Sequence, residues 1–373
     1  MRDLPQEGGL DPQQITELRS ALLAWYELNR RDLPWRRTRD PYAIWVSEVM
    51  LQQTRVAAVI DRYEAFLHNF PTVSALAHAA EAEVLALWSG LGYYRRARML
   101  LKAAKVVALE RHGVMPENAA ALRTLPGIGA YTSAAIASIA YGEPVAVVDG
   151  NVERVVQRLA GWGSPAGSSQ AGSGQAGSGQ ANLDRQTERL AQRLLDPAHA
   201  GDFNQAMMEL GATVCLPRNP ACVTCPLQLH CQTRGEHPTP RRAPMRSQDV
   251  AYALVIRTHR GHREVLLDQR GEEQTVMPSL WELPALLDPQ VSDEHLRMAV
   301  RHAIMQTNYY VRIRIVPESE VAALAVPSEL RRWMRLSDLP AMPLTGLARK
   351  VLLRAKLPEL EPRPPLSVSS VAD

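Results

Sequence analysis

The four cysteines are the clearest chemical feature of this sequence. They are the only cysteines in 373 residues, and they lie in one short segment with the spacing C-x6-C-x2-C-x5-C, at Cys215, Cys222, Cys225 and Cys231. Four thiolates so close in sequence can surround one metal centre, and all-cysteine ligation serves both structural zinc and a [4Fe–4S] cluster. Zinc sites usually present two C-x2-C pairs, whereas this segment holds one, so the spacing favours the iron–sulfur cluster. A disulfide pair is the simpler alternative, but we expect reduced thiols because the N-terminus shows no secretory leader.

A glycine-containing turn joins two predicted helices at residues 125–129. The turn contains Leu125, Gly127 and Gly129 in the pattern L-P-G-x-G, which is typical of a helix-hairpin-helix. Glycine permits the positive φ that a tight turn requires. The bare backbone N–H groups at the start of the second helix favour an anion such as a DNA phosphate.

Two carboxylates stand where they could act as acids or bases. Glu48 lies among apolar residues in a helix predicted from about residue 43, so it either points to solvent or sits in a pocket that raises its pKa. Asp149 ends an apolar run and precedes a helix predicted at 152–160, where an aspartate ordinarily caps the helix. A functional role for Asp149 is favoured because Glu48 lies on another helical segment, with the DNA-gripping hairpin between them.

Two further segments carry residue types that suit nucleic acid. The segment 51–54 (LQQT) combines an alkyl side chain with two amides that could wedge into a base stack, although it also suits an ordinary helix surface. Tyr93 and Tyr94 follow a glycine-containing break and precede two arginines. Aromatic rings stack on bases and guanidinium groups bind phosphate, but the two tyrosines could equally be core residues at the start of a helix.

Length and composition bound the organisation of the chain. A net charge of +3 is compatible with nucleic-acid binding but does not by itself indicate it. The sequence contains no apolar run of eighteen residues, so we expect no membrane span. We expect a mainly α domain at 13–231 that carries the cysteine loop 215–231. A Gly/Ser/Gln/Ala repeat at 163–180 predicts a flexible insert, and the Pro- and Arg-rich stretch 232–247 predicts a linker.

The hydrophobic period changes after the linker. Runs at 252–257, 265–269 and 310–316 predict strands, and helices are predicted near 293–300 and 345–355. The sequence therefore predicts an α+β domain at 248–358, followed by a Pro-rich disordered tail at 359–373.

The motifs, taken together, resemble a known family. The hairpin, the VVDGN aspartate and the cysteine loop resemble the helix-hairpin-helix DNA glycosylases of the endonuclease III superfamily, over about residues 13–231. LPWR, SEVMLQQTRV, GLGYYRRAR, LPGIGAYT and VVDGNVERV, in that order, look like the adenine DNA glycosylases, the MutY family, within it. The resemblance implies a six-helix barrel domain with a helix-hairpin-helix beside an iron–sulfur cluster domain. It implies base excision repair of adenine mispaired with 8-oxoguanine or guanine in double-stranded DNA, by a monomer in a bacterial cytoplasm, associated with the nucleoid through DNA and not with a membrane.

The resemblance also implies a role for each matching residue. Glu48 matches the general acid and Asp149 the carboxylate that stabilises or traps the oxocarbenium sugar, with Tyr131 and Asn151 beside them in the catalytic set. Tyr131 stands where the bifunctional members carry a Schiff-base lysine, so we expect a monofunctional enzyme with little or no lyase activity. Glu209 is expected to line the adenine pocket. The expected DNA contacts are Arg31, Trp35, Arg36, Leu51, Gln52, Gln53, Thr54, Tyr93, Tyr94, Leu125, Gly127, Gly129 and Arg218.

The C-terminal domain resembles the Nudix-like domain of the same family, which reads 8-oxoguanine. It lacks the glutamate cluster of a Nudix hydrolase, so we expect no hydrolase there. The family's Phe-Ser-His motif is replaced by Ile304-Met305-Gln306, and reading of the lesion could rest on Asn308 or Tyr309 instead. Two other functions are alternatives to an adenine DNA glycosylase. One is a pyrimidine-damage glycosylase with lyase activity, and the other is a catalytically silent iron–sulfur protein that binds DNA or senses redox state.

Overall fold

The structure is a computed structural model that describes residues 10–162, 178–236, 244–274, 276–288, 296–304, 306–324 and 330–355. The chain divides into two units. One unit falls within Met1–Ala77 and Lys102–Arg242, and the other within His78–Leu101 and Ala243–Asp373. The predicted tail lies outside the described residues, as do 163–177 of the predicted insert and 237–243 of the predicted linker.

Helices dominate the first part of the chain, as the sequence predicts. In chain order they are α1 Pro12–Asn29, α2 Pro41–Leu51, α3 Val56–Asn69, α4 Val73–His78, α5 Glu81–Leu87, α6 Arg95–Glu110, α7 Ala119–Leu122, α8 Ala130–Tyr141, α9 Gly150–Leu159, α10 Ser178–Leu194, α11 Ala200–Thr213 and α12 Gly346–Arg354. Because α10 begins at Ser178, the last three residues of the predicted insert are helical. In the described ranges, no helix has both the length and the apolar character that a membrane crossing requires.

Helix starts are encoded locally. Asp11 caps α1 by accepting a hydrogen bond from the backbone of Gln14, and Pro12 occupies the first helical position. Asp40 and Pro41 do the same for α2, which places Glu48 near the C-terminal end of a helix buried along almost its whole length. Side-chain oxygens at these positions satisfy N–H groups that lack a partner within the helix.

One core joins the N-terminal helix to the helices that precede the cysteine segment. Apolar side chains of α1, α9, α10 and α11 pack together, and Leu227 of the cysteine segment lies among them. Three of the cysteines pack against the same core. The cysteine segment is therefore attached to a helical layer whose buried residues come from distant parts of the sequence.

The second unit contains two sheets. Its strands are β1 Arg246–Leu254, β2 Ile256–His259, β3 His262–Gln269, β4 Trp281–Glu282, β5 Ala285–Leu286, β6 Leu296–Ile304, β7 Thr307–Ile315 and β8 Arg331–Arg335. One sheet has the order β5-β1-β7-β6, with β1 and β7 parallel and the other pairs antiparallel. In the other sheet, β3 pairs antiparallel with β2, β4 and β8. With α12 packed in the same core, this unit mixes helix and sheet as predicted.

One element of the second unit differs from the prediction. The helix predicted near 293–300 is wrong over 296–300, because residues 296–304 form strand β6. Residues 293–295 lie outside the described ranges. The pattern Leu296, Ala299, Val300 fits a helical period, but β6 pairs with β7 along its length, apart from a β-bulge between Leu296 and Met298, and this pairing buries Val300 against Val311. The helix predicted at 345–355 is confirmed as α12.

The segment 78–101 belongs to the second unit rather than to the predicted domain 13–231. Ser89 Oγ and Tyr94 Oη both donate to the carbonyl oxygen of Leu344, at 3.3 and 3.0 Å, and Arg349 Nε donates to Ser89 Oγ at 2.7 Å. These side chains are buried or half-buried. The predicted boundary near 231 separates residues that share these hydrogen bonds.

Candidate active site

Both predicted carboxylates line one cavity of about 750 Å³ in the helical unit. Residues from α2, the hairpin, α8, the start of α9 and α11 surround it. The sequence-predicted residues that line it are Arg31, Trp35, Arg36, Glu48, Leu51, Gln52, Gln53, Thr54, Gly127, Gly129, Tyr131, Asp149, Asn151 and Glu209. The cavity therefore gathers residues that are more than 150 positions apart in the sequence.

Glu48 is a buried carboxyl whose pKa lies near neutrality. It is 5% exposed, which rules out the solvent-facing interpretation. Burial raises its pKa to about 7, helped by the nearby charge of Asp149 and opposed by the hydrogen bond from Tyr131 and the charge of Arg36. A carboxyl with this pKa is protonated in a large fraction of molecules at neutral pH, as a general acid requires.

Tyr131 is the direct hydrogen-bond partner of Glu48. Its hydroxyl donates to Glu48 Oε2 at 2.6 Å and lies 3.5 Å from the sulfur of Met208. Burial and the two nearby carboxylates hold the pKa of Tyr131 well above its usual range, so it remains a donor. The hairpin positions this side chain. Gly127 adopts φ +77°, Gly129 caps α8, and Tyr131 is the second residue of that helix.

Asp149 both caps α9 and lines the cavity. Its Oδ1 accepts from the backbone N–H groups of Asn151 and Val152, at 2.9 and 2.8 Å. Its Oδ2 accepts from Asn151 Nδ2 at 2.9 Å. The capping interpretation and the functional one are therefore compatible, because the cap holds the carboxylate in a fixed orientation beside the cavity.

A chain of hydrogen bonds leads from Asp149 to the cysteine segment. Arg154 donates from Nη2 to Asn151 Oδ1 at 2.9 Å and to the carbonyl oxygen of Gly211 at 2.7 Å. Its Nε donates to the carbonyl oxygen of Cys215 at 2.8 Å. A Cβ at Gly211 would lie 2.7 Å from the Cβ of Asn151, so α9 and α11 approach closely here. The sequence analysis did not predict a role for Arg154, although its position in the amphipathic helix α9 could have indicated one.

Glu209 lies in the cavity wall as an ion-pair centre. It is 1% exposed and accepts from Arg31 Nη2 at 2.6 Å and from Arg36 Nη2 at 2.8 Å. Burial alone would raise the pKa of Glu209, but these hydrogen bonds outweigh it and lower the pKa to about 2. Met208, which the sequence analysis missed, precedes it on α11. Helical spacing from Gln205, another lining residue, to Glu209 was the available signal.

The segment 51–54 forms the cavity rim after α2. Gln53 adopts a left-handed backbone with φ +55° and is exposed. Gln52 donates to the hydroxyl of Thr132 at 3.2 Å, at the start of α8. Residues other than glycine rarely adopt this conformation, and they concentrate at functional sites.

The four cysteines carry no disulfide and are half-buried. Burial raises the pKa of Cys225 to about 11, and the charges of the other three thiols contribute, so all four lie within electrostatic range. Arg158, which is 3% exposed, donates from Nη1 to Cys215 Sγ at 3.3 Å. Four free thiols beside a buried guanidinium fit an anionic cluster. Across the described ranges, however, no three His, Cys, Asp or Glu side chains are arranged around a single metal ion.

The remaining predicted residues lie outside this cavity. Tyr94 is 4% exposed and bonded to Leu344, which corrects its prediction as a DNA contact, whereas Tyr93 is 51% exposed. Leu125 is also buried, so only its backbone can meet DNA. Arg218 is exposed in the cysteine segment. The side chains of Asn308 and Tyr309 belong to β7 of the other unit.

Comparison with known proteins identifies the class first. A family model described as HhH-GPD superfamily base excision DNA repair protein matches residues 46–171. The solved structure of a thermostable thymine-DNA glycosylase is 30% identical, with a TM-score of 0.51, and the match covers 60% of this chain and 97% of that one. The fold and the hairpin thus place the helical unit among helix-hairpin-helix proteins, and the family model that matches it describes proteins of base excision repair.

Curated relatives narrow the class to one family. The adenine DNA glycosylase of Mycobacterium tuberculosis is 38% identical over 304 residues, which cover 81% of this chain and 94% of that protein. The adenine DNA glycosylase of Homo sapiens is 47% identical over 233 residues, 60% of this chain but only 40% of that protein. The chain belongs to the adenine DNA glycosylase family. It spans less than half the length of the human relative.

Proposed function

We propose that this chain hydrolyses the N-glycosidic bond of adenine mispaired with 8-oxoguanine or guanine in double-stranded DNA. The observation that carries the proposal is Glu48, a buried carboxyl with a pKa of about 7 in the cavity that Asp149 also lines. Membership in the adenine DNA glycosylase family supports adenine as the base. Base excision from a duplex requires that the adenine be flipped into such a cavity.

Glu48 is assigned as the general acid. Adenine leaves poorly as an anion, so the base must gain a proton as the C1′–N9 bond breaks. Tyr131 occupies Glu48 Oε2 as a donor, so we assign the transferable proton to Oε1. The electron pair of the broken bond stays with the base, which departs neutral.

Asp149 is assigned as the carboxylate that stabilises or traps the sugar cation. Loss of adenine leaves oxocarbenium character at C1′, which an ionised carboxylate stabilises by charge or traps as a covalent ester before water completes the hydrolysis. The donors from Asn151 and Val152 hold that carboxylate in place. Tyr131 stands where a lyase would need an amine, so we propose a monofunctional enzyme without an imine intermediate.

A [4Fe–4S] cluster held by Cys215, Cys222, Cys225 and Cys231 fits the free thiols and the buried Arg158 beside them. When bound, it would brace the segment that carries Arg218 and contribute redox-active iron. Purified protein should contain about four iron and four sulfide per chain. One zinc per chain, or neither metal, would contradict this part of the proposal.

The hairpin, the rim 51–54, Tyr93 and Arg218 are proposed to hold the duplex. Exposed Gly127 and Gly129 leave N–H groups at the start of α8 accessible to phosphate. The second unit is proposed to be Nudix-like and to read the base opposite adenine through Asn308 or Tyr309. We propose that the enzyme acts as a monomer.

Excision assays on one duplex panel test the catalytic assignment. Duplexes with adenine opposite 8-oxoguanine, guanine or thymine are incubated with and without alkali treatment. We expect adenine loss from the first two and strand breaks only after alkali. Glu48→Gln should slow excision by roughly 10²- to 10⁴-fold, the usual contribution of a positioned acid. Glu110→Gln, an exposed glutamate at the end of α6, is the matched control. Equal rates for the two variants would refute Glu48 as the acid.

Lesion reading is tested by substitution, because truncation before β1 would expose the segment 78–101. Tyr309→Ala should lower the ratio of excision rates on the 8-oxoguanine and guanine mispairs by roughly ten- to a hundred-fold, the usual value of a polar base contact. Leu353→Ala, which changes an exposed side chain on α12 of the same unit, is the control. A ratio unchanged in Tyr309→Ala and in Asn308→Ala would refute this role.

A further inference from the structure

The outer face of β6 and β7 carries a concentration of arginines. Along these antiparallel strands, Val300, Val311 and Ile313 point into the core. Strand alternation therefore turns Arg301 and Arg312 to the opposite face. Arg301 is exposed, Arg312 is half-buried, and we call this surface the arginine face.

The arginine face combines positive charge with an aromatic ring. Arg301 lies directly opposite Tyr310 in the register, and its guanidinium is 5.8 Å from the centre of that ring. Tyr310 is 43% exposed. Arg312 lies opposite the small side chain of Ala299. Exposed Arg297 extends the same strand at a β-bulge.

The acidic groups near this face do not neutralise it. Asp249 of β1 lies opposite Tyr310, and Glu320 pairs with Arg314 at 3.2 Å. Within the ranges that the structure describes, Arg297, Arg301 and Arg312 have no ion pair. Three guanidinium groups and one carboxylate give this face a net positive charge, which attracts a polyanion.

We propose that the arginine face binds the phosphate backbone of duplex DNA beyond the mispair, an inference that rests on the proposed function. We choose duplex DNA over an acidic protein surface because guanidinium groups bind phosphate oxygens through paired hydrogen bonds, and because the proposed function already brings duplex DNA to this chain. Asn308 and Tyr309, which are proposed to read the opposite base, lie on the same strand as Arg312, within four residues of it.

The test is the salt dependence of binding by the full chain. The probe is an undamaged duplex of roughly 30 base pairs, followed by fluorescence anisotropy, because each phosphate contact contributes about 0.9 to the slope of log affinity against log salt. The triple variant R297Q/R301Q/R312Q should bind roughly tenfold to a hundredfold more weakly, with a slope smaller by about two to three. R297K/R301K/R312K should retain the parent slope, because it keeps the charges.

A second triple variant controls for net charge. R260Q/R335Q/R354Q removes three exposed arginines of the same unit that lie off this face, and it should bind nearly as the parent does. Equal weakening in both Gln triples, or no weakening in the first, would overturn the proposal. Binding of a polyglutamate probe that is lost in the first triple while DNA binding is kept would overturn it in favour of an acidic protein partner. The anisotropy assay measures binding to undamaged DNA and does not depend on excision. Absence of adenine excision by the parent chain would therefore contradict the proposed function but not the DNA binding of the arginine face.

Discussion

Removal of the Tyr131 hydroxyl should move the pH dependence of excision upward. The hydroxyl donates to Glu48 Oε2 at 2.6 Å and lowers a pKa that burial has raised to about 7. A hydrogen bond to a charged group is worth about 1.5–3 kcal/mol, which corresponds to about one to two pH units. In Tyr131→Phe the pKa of Glu48 should therefore rise to about 8–9.

The sign follows from the role of an acid. Activity needs protonated Glu48, so excision is lost as pH rises through its pKa, and a higher pKa moves this alkaline limb upward. At about pH 9 the parent should retain roughly 1% of its maximal rate and the variant roughly 10–50% of its own maximum.

Single-turnover excision from the 8-oxoguanine mispair, measured across this range, provides the readout. Tyr141→Phe is the control, because this tyrosine ends the same helix and its hydroxyl donates to Met115 instead. An alkaline limb that stays in place or moves downward in Tyr131→Phe would refute the reasoning.

Three further predictions follow from buried or stacked charges. Folding raises the pKa of Glu48 from 4.5 to about 7, so the folded state loses about 3 kcal/mol as pH rises through this range. Glu48→Gln should avoid that loss. In urea unfolding, the variant and the parent should be equally stable at about pH 4.5, and the variant should be more stable at about pH 8. Equal stability of the two proteins at both pH values would contradict this prediction. Glu209→Gln should destabilise by about 3 kcal/mol in thermal unfolding, because buried Arg36 loses its counter-charge. The stability that Glu209 contributes is present above about pH 4.5 and should disappear as pH falls towards 2. Arg96 lies 5.5 Å from the Trp88 ring and 5.4 Å from the Tyr93 ring. Arg96→Met should weaken DNA binding about tenfold with little change in the excision rate at saturating DNA. Adding Tyr93→Ala to this variant should weaken DNA binding little further. Additive losses of affinity would show that the two residues act independently.

Local sequence determined much of the helical unit. The caps at Asp11 and Asp40 and the hairpin glycines each act within a few residues, so their structural consequences are encoded locally. The same holds for α12 and for the strands that the runs 252–257, 265–269 and 310–316 predicted, whereas β4, β5, β6 and β8 were not predicted. Residue types alone also singled out Glu48 and Asp149 as the two carboxylates of interest.

Burial and long-range pairing were decided only by the tertiary structure. Glu48 could have faced solvent until the packing of α2 against α8 enclosed it beside Tyr131, 83 residues away. Tyr93 and Tyr94 are neighbours in the sequence, yet the hydrogen bond to Leu344 buries only the second. Strand β6 has a helix-compatible pattern, and its conformation depends on a partner strand whose position no local rule specifies. These features required the fold because burial and strand pairing depend on residues that are distant in sequence, whereas capping and turn geometry do not.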